Sequence, residues 1–277
     1  MSWDVKSGMN TLPSGPKQPE AGGPNPPEVI TAAPLRRVRR PVMLQGWYNL
    51  TSLHWSYDAD TVAALLPRGF RVDTFDGRAW VGLIPFHMRR IRIPGLEWIR
   101  LPWSTFPETN VRTYIVDSRG RRGVWFFSLD ITRIVPTIVA RTTYSLPYCS
   151  ADMTIDEPES GTVRYTSSRR WPRATAGAGS DVVVASGDVV EPDAPDRPLI
   201  ECLSARWALG STFAGQLLWA DVDHPVWPLH RVSLVSWNES LVAATGLPAP
   251  VGEPVALWSP GVEVRIGRPH RVRRGTA

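Results

Sequence analysis

Polar side chains occupy every second position from Glu108 to Tyr114, within the run of residues 106–116, and this alternation constrains the fold more than any other feature of the sequence. Because successive residues of a β-strand face opposite sides, the spacing predicts a strand whose polar face carries Glu108, Asn110, Arg112 and Tyr114. A surface strand presents such a face to water, and this is the default interpretation. The same face would also suit the wall of a polar ligand cavity.

The rest of the chain favours short strands and turns. Its 277 residues include 27 prolines and 13 tryptophans, a composition unlike that of a helical bundle. Together with the turn residues between apolar runs, this predicts an α+β fold with mostly antiparallel strands. The predicted strands are 78–86, 106–116, 123–129, 151–155, 162–169, 181–185, 229–237 and 262–267. The predicted helices are one capped by Asp58 or Asp60 that runs through Leu66, 130–142 with a kink or a late start because of Pro136, one beginning near Arg197, and 238–245 ended by Gly246.

Charge and composition divide the chain into three parts. Residues 1–34, rich in Pro and Gly, are predicted to be a disordered arm, residues 35–268 a single domain, and residues 269–277 a basic tail. The excess of basic residues belongs to the ends, because residues 41–260 carry 20 basic and 22 acidic groups. With no zinc-finger spacing or RNA-binding motif, a specific nucleic-acid partner is not expected.

Compartment and cofactors are predicted mainly from missing signals. Cys149 and Cys202 form no C-x-x-C pair, and the five histidines show no metal-ligand spacing. No apolar run approaches the roughly 20 residues that span a bilayer. We therefore expect a cytoplasmic protein with no metal, no cofactor and no transmembrane segment, and the sequence is compatible with a homo-oligomer.

Several sequence motifs between about residues 41 and 268 resemble, in their order along the chain, those of the YqjF-like family, known as domain of unknown function 2071. That family is similar in fold to acetoacetate decarboxylase, so the resemblance implies a curved antiparallel sheet that closes into a cone-like barrel around an interior cavity. The motifs are His54-Trp55, Phe75-Asp-Gly-Arg-Ala-Trp-Val-Gly, Glu108-Thr-Asn-Val-Arg-Thr-Tyr, Gly123-Val-Trp-Phe-Phe-Ser-Leu-Asp, Ala140-Arg141 with Leu146-Pro-Tyr148, and His224-Pro-Val-Trp-Pro-Leu.

The same resemblance argues against the decarboxylase reaction itself. Acetoacetate decarboxylases form an imine through a buried lysine, and Tyr148 stands where the resemblance implies that lysine. The only lysines, Lys6 and Lys17, lie in the predicted arm, which excludes imine chemistry in the domain. Glu108 lies upstream at a spacing similar to that of the decarboxylase's active-site glutamate.

Each candidate site residue has a structural alternative. Glu108 is predicted as a general acid or base, or else as the partner of Arg112 in an ordinary ion pair. Arg112 suits a carboxylate or phosphate, or a pairing with Glu108 or Asp130. Tyr148 either moves a proton or fills the volume of the absent lysine. The predicted catalytic residues are thus Glu108 and Tyr148, and the predicted ligand-binding residues are Asn110, Arg112, Tyr114 and Arg141.

Three functions remain open on the sequence. The first is a protein that binds a small, anionic organic ligand in the interior of the fold, with acid or base chemistry on a carbonyl compound. The second is a non-catalytic binding or regulatory module that kept the fold and lost the chemistry. The third is an accessory protein that acts through its basic tails. A large upward shift in the pKa of Glu108 caused by burial would favour catalysis over the second function.

Overall fold

The computed structural model of the chain describes residues 25–96, 98, 104–132, 146–157 and 159–272. Strands dominate these residues, and the only α-helices in this part are α1 (Ala59–Ala63) and α2 (Arg197–Ser204). The fold is therefore mostly β, which corrects the predicted α+β class. The strands are β1 (Met43–Tyr57), β2 (Arg71–Val72), β3 (Thr74–Phe75), β4 (Arg78–Arg92), β5 (Phe106–Val116), β6 (Arg122–Ile131), β7 (Tyr148–Asp156), β8 (Thr162–Trp171), β9 (Gly179–Val189), β10 (Ala208–Phe213), β11 (Gln216–Asp223), β12 (His230–Glu239), β13 (Val255–Ile266) and β14 (His270–Arg271).

Two helix predictions are wrong at their starts because strands continue past them. Strand β6 runs through Ile131, so no helix begins at residue 130, and residues 133–145 lie outside the described ranges. Strand β12 runs through Glu239, which leaves one turn of 3-10 helix at Ala243–Thr245 before Gly246 ends it with φ +97°. The helix starts at Asp58 and Arg197 are confirmed, since Asp58 caps α1 and α2 begins at Arg197.

The hydrogen-bonded strands form two rings that share one wall. The wall consists of β6, β5, β4, β1 and β13, paired in that order and antiparallel throughout. Strands β10 and β11 close the first ring between β6 and β13. Strands β7, β8, β9 and β12 close the second ring between the same two strands. Both closures begin with a parallel pairing to β6, whereas the rest of each path is antiparallel.

The shared wall has a hydrophobic cluster on each face. One cluster includes Ile84, Phe86 and Ile131 and lies on the side of the first ring. The other includes Leu83 and Val111, together with side chains of β8 and β9, and lies on the side of the second ring. Because neighbouring residues of a strand face opposite sides, each wall strand contributes to both clusters.

A segment before the first strand is hydrogen-bonded to the β5–β6 turn and to the segment before β10. We refer to residues 25–38, which contain no helix or strand, as the strap. The strap donates from Glu28 N to Gly120 O (2.8 Å) and accepts at Glu28 O from Arg122 Nε (2.6 Å). Its Thr31 carbonyl accepts from Trp207 Nε1 (3.0 Å). The strap thereby connects the β5–β6 turn to the segment that precedes β10.

Candidate functional site

The first ring holds a pocket of about 180 Å³ whose lining includes residues from all seven of its strands. Most of the lining is apolar, and the polar groups are few. Polar residues of the lining are Gln45, Glu108, Asn110, Arg112, Tyr148, Ser204, Arg206 and His224, and apolar ones include Trp47, Phe86, Phe106, Phe126, Leu209, Val222 and Trp227. A concave apolar site with a few converging polar groups is the usual form of a small-molecule site.

The polar face of β5 is buried, which corrects its default interpretation as a solvated surface. Glu108, Asn110 and Arg112 line the pocket, and Glu108 and Asn110 are only 3% and 4% exposed. The opposite face is buried as well, as Val111 in the second cluster shows. Strand β5 therefore lies inside the molecule on both faces, with its polar side chains towards the first ring.

Glu108 is held in a protonated state by its surroundings. Burial, with the charge of Asp130 as a smaller contribution, raises the pKa of Glu108 to about 8. Its Oε2 atom is buried and accepts no hydrogen bond from the described residues. Asp130 forms a buried ion pair with Arg169 (2.6 Å) and so is not a partner of Arg112. A neutral carboxyl group at this position can donate a proton at neutral pH.

Arg112 pairs with no acidic residue in the described part of the chain, so the predicted ion pairs with Glu108 and Asp130 are wrong. Its Nη2 atom instead donates to Leu203 O (3.3 Å) and to the Tyr114 hydroxyl group (3.5 Å). Its Nε atom is buried and has no hydrogen-bond partner among the described residues. The guanidinium group thus lines the pocket, and no carboxylate of the described ranges contacts it directly.

Tyr114, a predicted ligand-binding residue, contacts Arg112 through its hydroxyl group but does not line the pocket. Its hydroxyl group donates to Leu203 O (2.6 Å) and lies 2.6 Å from His54 Nε2. Burial and the charges of two arginines hold the pKa of His54 well below its usual value, so its ring is neutral. Because the single phenol proton goes to Leu203, His54 must donate from Nε2, which fixes its tautomer.

Arg206 is a site residue that the sequence analysis missed. It lies between α2 and β10, its side chain is only 3% exposed, and its guanidinium carbon is 4.6 Å from the centre of the Tyr114 ring. Arg112 lies 5.6 Å from the same centre, so both guanidinium groups lie close to one aromatic ring. We refer to Arg112 and Arg206 as the arginine pair. The only local signal was an arginine within the apolar run Ala205-Arg-Trp-Ala-Leu209.

The charge of Arg206 is only partly compensated. Its Nη2 atom lies 3.0 Å from Asp73 Oδ2 and 3.2 Å from Cys202 Sγ. The Asp73 carboxylate is shared with Arg122, so one carboxylate serves two guanidinium groups. The Nε and Nη1 atoms of Arg206 are buried without a partner among the described residues. Together with Arg112, this arrangement adds positive charge to the lining of the pocket.

The remaining predicted site residues have different outcomes. Tyr148 begins β7, is 9% exposed and lines the pocket. Arg141 lies outside the described residues, so its role in ligand binding stays a prediction. His224 also lines the pocket, and burial lowers its pKa to about 4, so it is neutral. No group of three or more His, Cys, Asp or Glu side chains suited to a metal ion occurs in the described ranges.

Comparison with known proteins gives both a family and a fold. The model of domain of unknown function 2071, described as an uncharacterised conserved protein, matches residues 44–263. The protein YqjF of Bacillus subtilis (strain 168) is 30% identical over 224 residues, which cover 79% of this chain and 87% of YqjF. The expected family resemblance is thereby confirmed.

Solved structures with the same fold are much more distant in sequence. The enduracididine biosynthesis enzyme MppR, in complex with pyruvate, aligns with a TM-score of 0.62 at 14% identity, over 86% of this chain and 93% of MppR. Acetoacetate decarboxylase from Legionella pneumophila aligns with a TM-score of 0.58 at 12% identity, over 89% and 91%. At these identities the likeness concerns the fold alone. Within the described residues, no helix has the length and apolar character that crossing a membrane requires.

Proposed function

This chain belongs to the family of domain of unknown function 2071, and we propose that it binds a small organic anion inside the first ring. In this proposal the first ring acts as a cone-like barrel, and its pocket is the ligand cavity. The arginine pair binds the anionic group, and Glu108 supplies a proton to a carbonyl or hydroxyl oxygen of the bound molecule. The reaction would be a hydration, dehydration, isomerisation or lyase step that involves no imine.

The observation that carries the proposal is the arginine pair itself. Two guanidinium groups lie 4.6 Å and 5.6 Å from the centre of the Tyr114 ring and line one pocket, and Arg112 has no acidic partner in the described part of the chain. Buried charges are costly unless a partner of opposite sign compensates them. A carboxylate or phosphate group would supply that compensation, because the planar guanidinium fork matches either group.

The acid role of Glu108 follows from its raised pKa. With a pKa of about 8, the carboxyl group is mostly protonated at neutral pH and so acts as a general acid. Glu108 lies four residues before Arg112, which separates their Cα atoms by about 13 Å along a strand. Asn110 lies between them on the same face and lines the pocket. A ligand held at the arginine pair would extend along β5 towards the acid.

Imine formation has no place in this proposal, since the sequence contains no lysine after Lys17. Tyr148 is the lining residue at the position that the family resemblance gave to the lysine. This substitution also favours the second candidate, a binding module without turnover. In that case the arginine pair would still bind the anion, and the Glu108 proton would serve only as a hydrogen-bond donor.

Ligand binding is tested by thermal shift and calorimetry of the full chain with keto, hydroxy and aromatic acids. We expect at least one acid to bind, and we expect Arg112→Met and Arg206→Met each to weaken it about 10- to 100-fold, since a hydrogen bond to a charged group contributes about 1.5–3 kcal/mol. Arg164→Met is the matched control, because this exposed arginine pairs with Asp181 (2.6 Å) and does not line the pocket. Binding that survives both pocket substitutions contradicts the anion site.

Turnover is tested separately with any acid that binds. Glu108→Gln keeps the shape and the hydrogen-bonding capacity of the side chain but removes the transferable proton. For an enzyme we expect the rate to fall at least 100-fold while the affinity changes less than about threefold. An acid that binds through the arginine pair and is not converted by the wild-type protein identifies the chain as a binding module.

A further inference from the structure

The pocket has an aromatic side that the anion proposal does not use. Trp47 of β1 and Trp227, which follows β11, have ring centroids 6.2 Å apart and planes only 17° from parallel. Trp47 also lies 6.0 Å from the Phe86 ring on β4. We refer to Trp47, Phe86 and Trp227, all of which line the pocket, as the aromatic wall. Such a wall offers flat apolar surface rather than hydrogen bonds.

His224 lines the same pocket as the aromatic wall and the arginine pair. The His224 ring lies 5.0 Å from the Trp227 ring and 6.3 Å from the Trp47 ring. The charge of Arg112 contributes to the lowered pKa of His224, although burial is the main cause. Because His224 is neutral at pH 7, it adds no charge to the wall. One bound molecule could therefore contact the cationic groups and the aromatic surface together.

The size of the pocket argues against a very short acid. One water molecule needs about 10–15 Å³ of cavity volume. A pocket of about 180 Å³ therefore has room for on the order of a dozen groups of that size. A three-carbon acid has roughly half as many non-hydrogen atoms and would leave the aromatic wall without contact. Apolar surface of this kind favours a ligand that removes it from water.

We infer that the ligand is an aryl-substituted carboxylic acid, with its carboxylate at the arginine pair and its ring against the aromatic wall. This inference rests on the proposed function and names the substrate class of the same site. A planar ring is chosen over an alkyl group because aromatic pairs gain from offset and edge-to-face contacts in addition to buried area. Trp47 and Trp227 are then the residues that determine specificity, and the arginine pair recognises the acid group.

The test is calorimetric titration of the full chain with four probes. These are 3-phenylpropionate, the saturated isostere 3-cyclohexylpropionate, propionate, and the uncharged 3-phenylpropan-1-ol. We expect 3-phenylpropionate to bind at least tenfold more tightly than propionate or the alcohol, and at least threefold more tightly than the cyclohexyl acid. Probes with millimolar dissociation constants are measured by saturation-transfer NMR.

Variants of Trp227 separate the aromatic contribution from the ionic one. Trp227→Leu keeps an apolar side chain but has no aromatic face, so it should lose the preference for phenyl over cyclohexyl, whereas Trp227→Phe should retain it. Neither change should alter the affinity for propionate more than about twofold. Trp237→Ala is the control, because Trp237 packs against Trp55 (5.3 Å between ring centroids) and does not line the pocket.

The outcomes distinguish this inference from the proposed function. If propionate binds as tightly as 3-phenylpropionate and both depend on Arg206, the aryl assignment is overturned and the anion site stands. Equal binding of the phenyl and cyclohexyl acids likewise overturns the choice of an aromatic ring. If no acid binds in a manner that depends on Arg112 or Arg206, the anion site itself fails and the aryl inference fails with it.

Discussion

Glu108 shows how one buried side chain links the stability of the protein to pH. In the unfolded chain a glutamate loses its proton near pH 4.5, whereas burial raises the pKa of Glu108 to about 8. Between these values the folded state binds more protons than the unfolded state. The free energy of unfolding must therefore fall as the pH rises through this window, by up to about 1.4 kcal/mol per pH unit.

We predict that Glu108→Gln removes this contribution, because glutamine does not titrate. Between pH 5 and pH 8 the variant should gain stability relative to the wild type, by up to about 4 kcal/mol. Urea unfolding at pH 5.0, 6.5 and 8.0 measures the difference. Glu253→Gln, which changes an exposed glutamate, is the control and should keep the wild-type pH dependence. Parallel pH profiles for the wild type and Glu108→Gln would show that Glu108 titrates normally.

The polar face of β5 could be predicted from the sequence, but its neighbours could not. Alternation along one strand is a local signal, so the bounds of β5 and the common face of Glu108 and Arg112 followed from it. Arg206 reaches the same site only because α2 ends beside Tyr114. Tyr114 precedes Arg206 by more than 90 positions in the chain. Contacts between distant segments leave no periodic pattern in either segment.

At the scale of elements, β1 was missed because its residues do not alternate between apolar and polar side chains. Six consecutive residues from Leu50 to Trp55 are buried, since each face of β1 meets one of the two clusters. Unlike β5, which is also buried on both faces, β1 therefore lacks the usual signal of a strand. Strand β12, which the sequence did reveal in part, alternates between exposed and less exposed positions along much of its length.

The strap is connected to the candidate site through a chain of hydrogen bonds and ion pairs. Its Glu28 carbonyl accepts from Arg122, which also contacts Asp73, and Asp73 in turn pairs with Arg206. Its Val38 amide donates to Asp223, the residue before His224 (3.2 Å). The strap therefore supports two pocket residues from outside without lining the pocket itself.

We predict that deleting residues 1–36 lowers the free energy of unfolding by about 1–3 kcal/mol, because Arg122 and Trp207 lose their carbonyl acceptors. Affinity for an acid bound at the arginine pair should fall several-fold, because Arg122 loses its hydrogen bond to Glu28 O and then positions Asp73, the partner of Arg206, less firmly. Deleting residues 1–24 is the control and should change neither quantity. Chemical unfolding and calorimetry of both truncated proteins measure the effects. Equal affinities for the two proteins would mean that the strap does not position the site.

At the scale of the whole molecule, the pocket and the second hydrophobic cluster lie on opposite sides of the shared wall. The pocket lies in the first ring, and the second ring encloses a hydrophobic cluster that includes Leu241, Val163 and Val184. A single layer of strands separates these two interiors. Side chains of the second ring therefore contribute to stability through packing and do not contact a ligand in the pocket.

We predict that Leu241→Ala, in the second ring, lowers the free energy of unfolding by about 2–5 kcal/mol, the usual effect of truncating a fully buried leucine. Its affinity for a pocket ligand should stay within about twofold of the wild type below the unfolding transition. Leu209→Ala is the matched comparison, because Leu209 lines the pocket, and it should change the affinity as well. Loss of affinity in Leu241→Ala would show that the two rings are coupled.

Strand β5 also determines how the pocket can change in evolution or in the laboratory. Its codons alternate between positions that face the pocket, such as 108, 110 and 112, and positions that face the other way, such as Val111 in the second cluster. Substitutions at the pocket-facing codons therefore change the lining of the pocket, while those at the intervening codons change the packing on the opposite face of the strand. A library that varies only the pocket-facing codons of 106–116 would explore new binding properties within an intact scaffold.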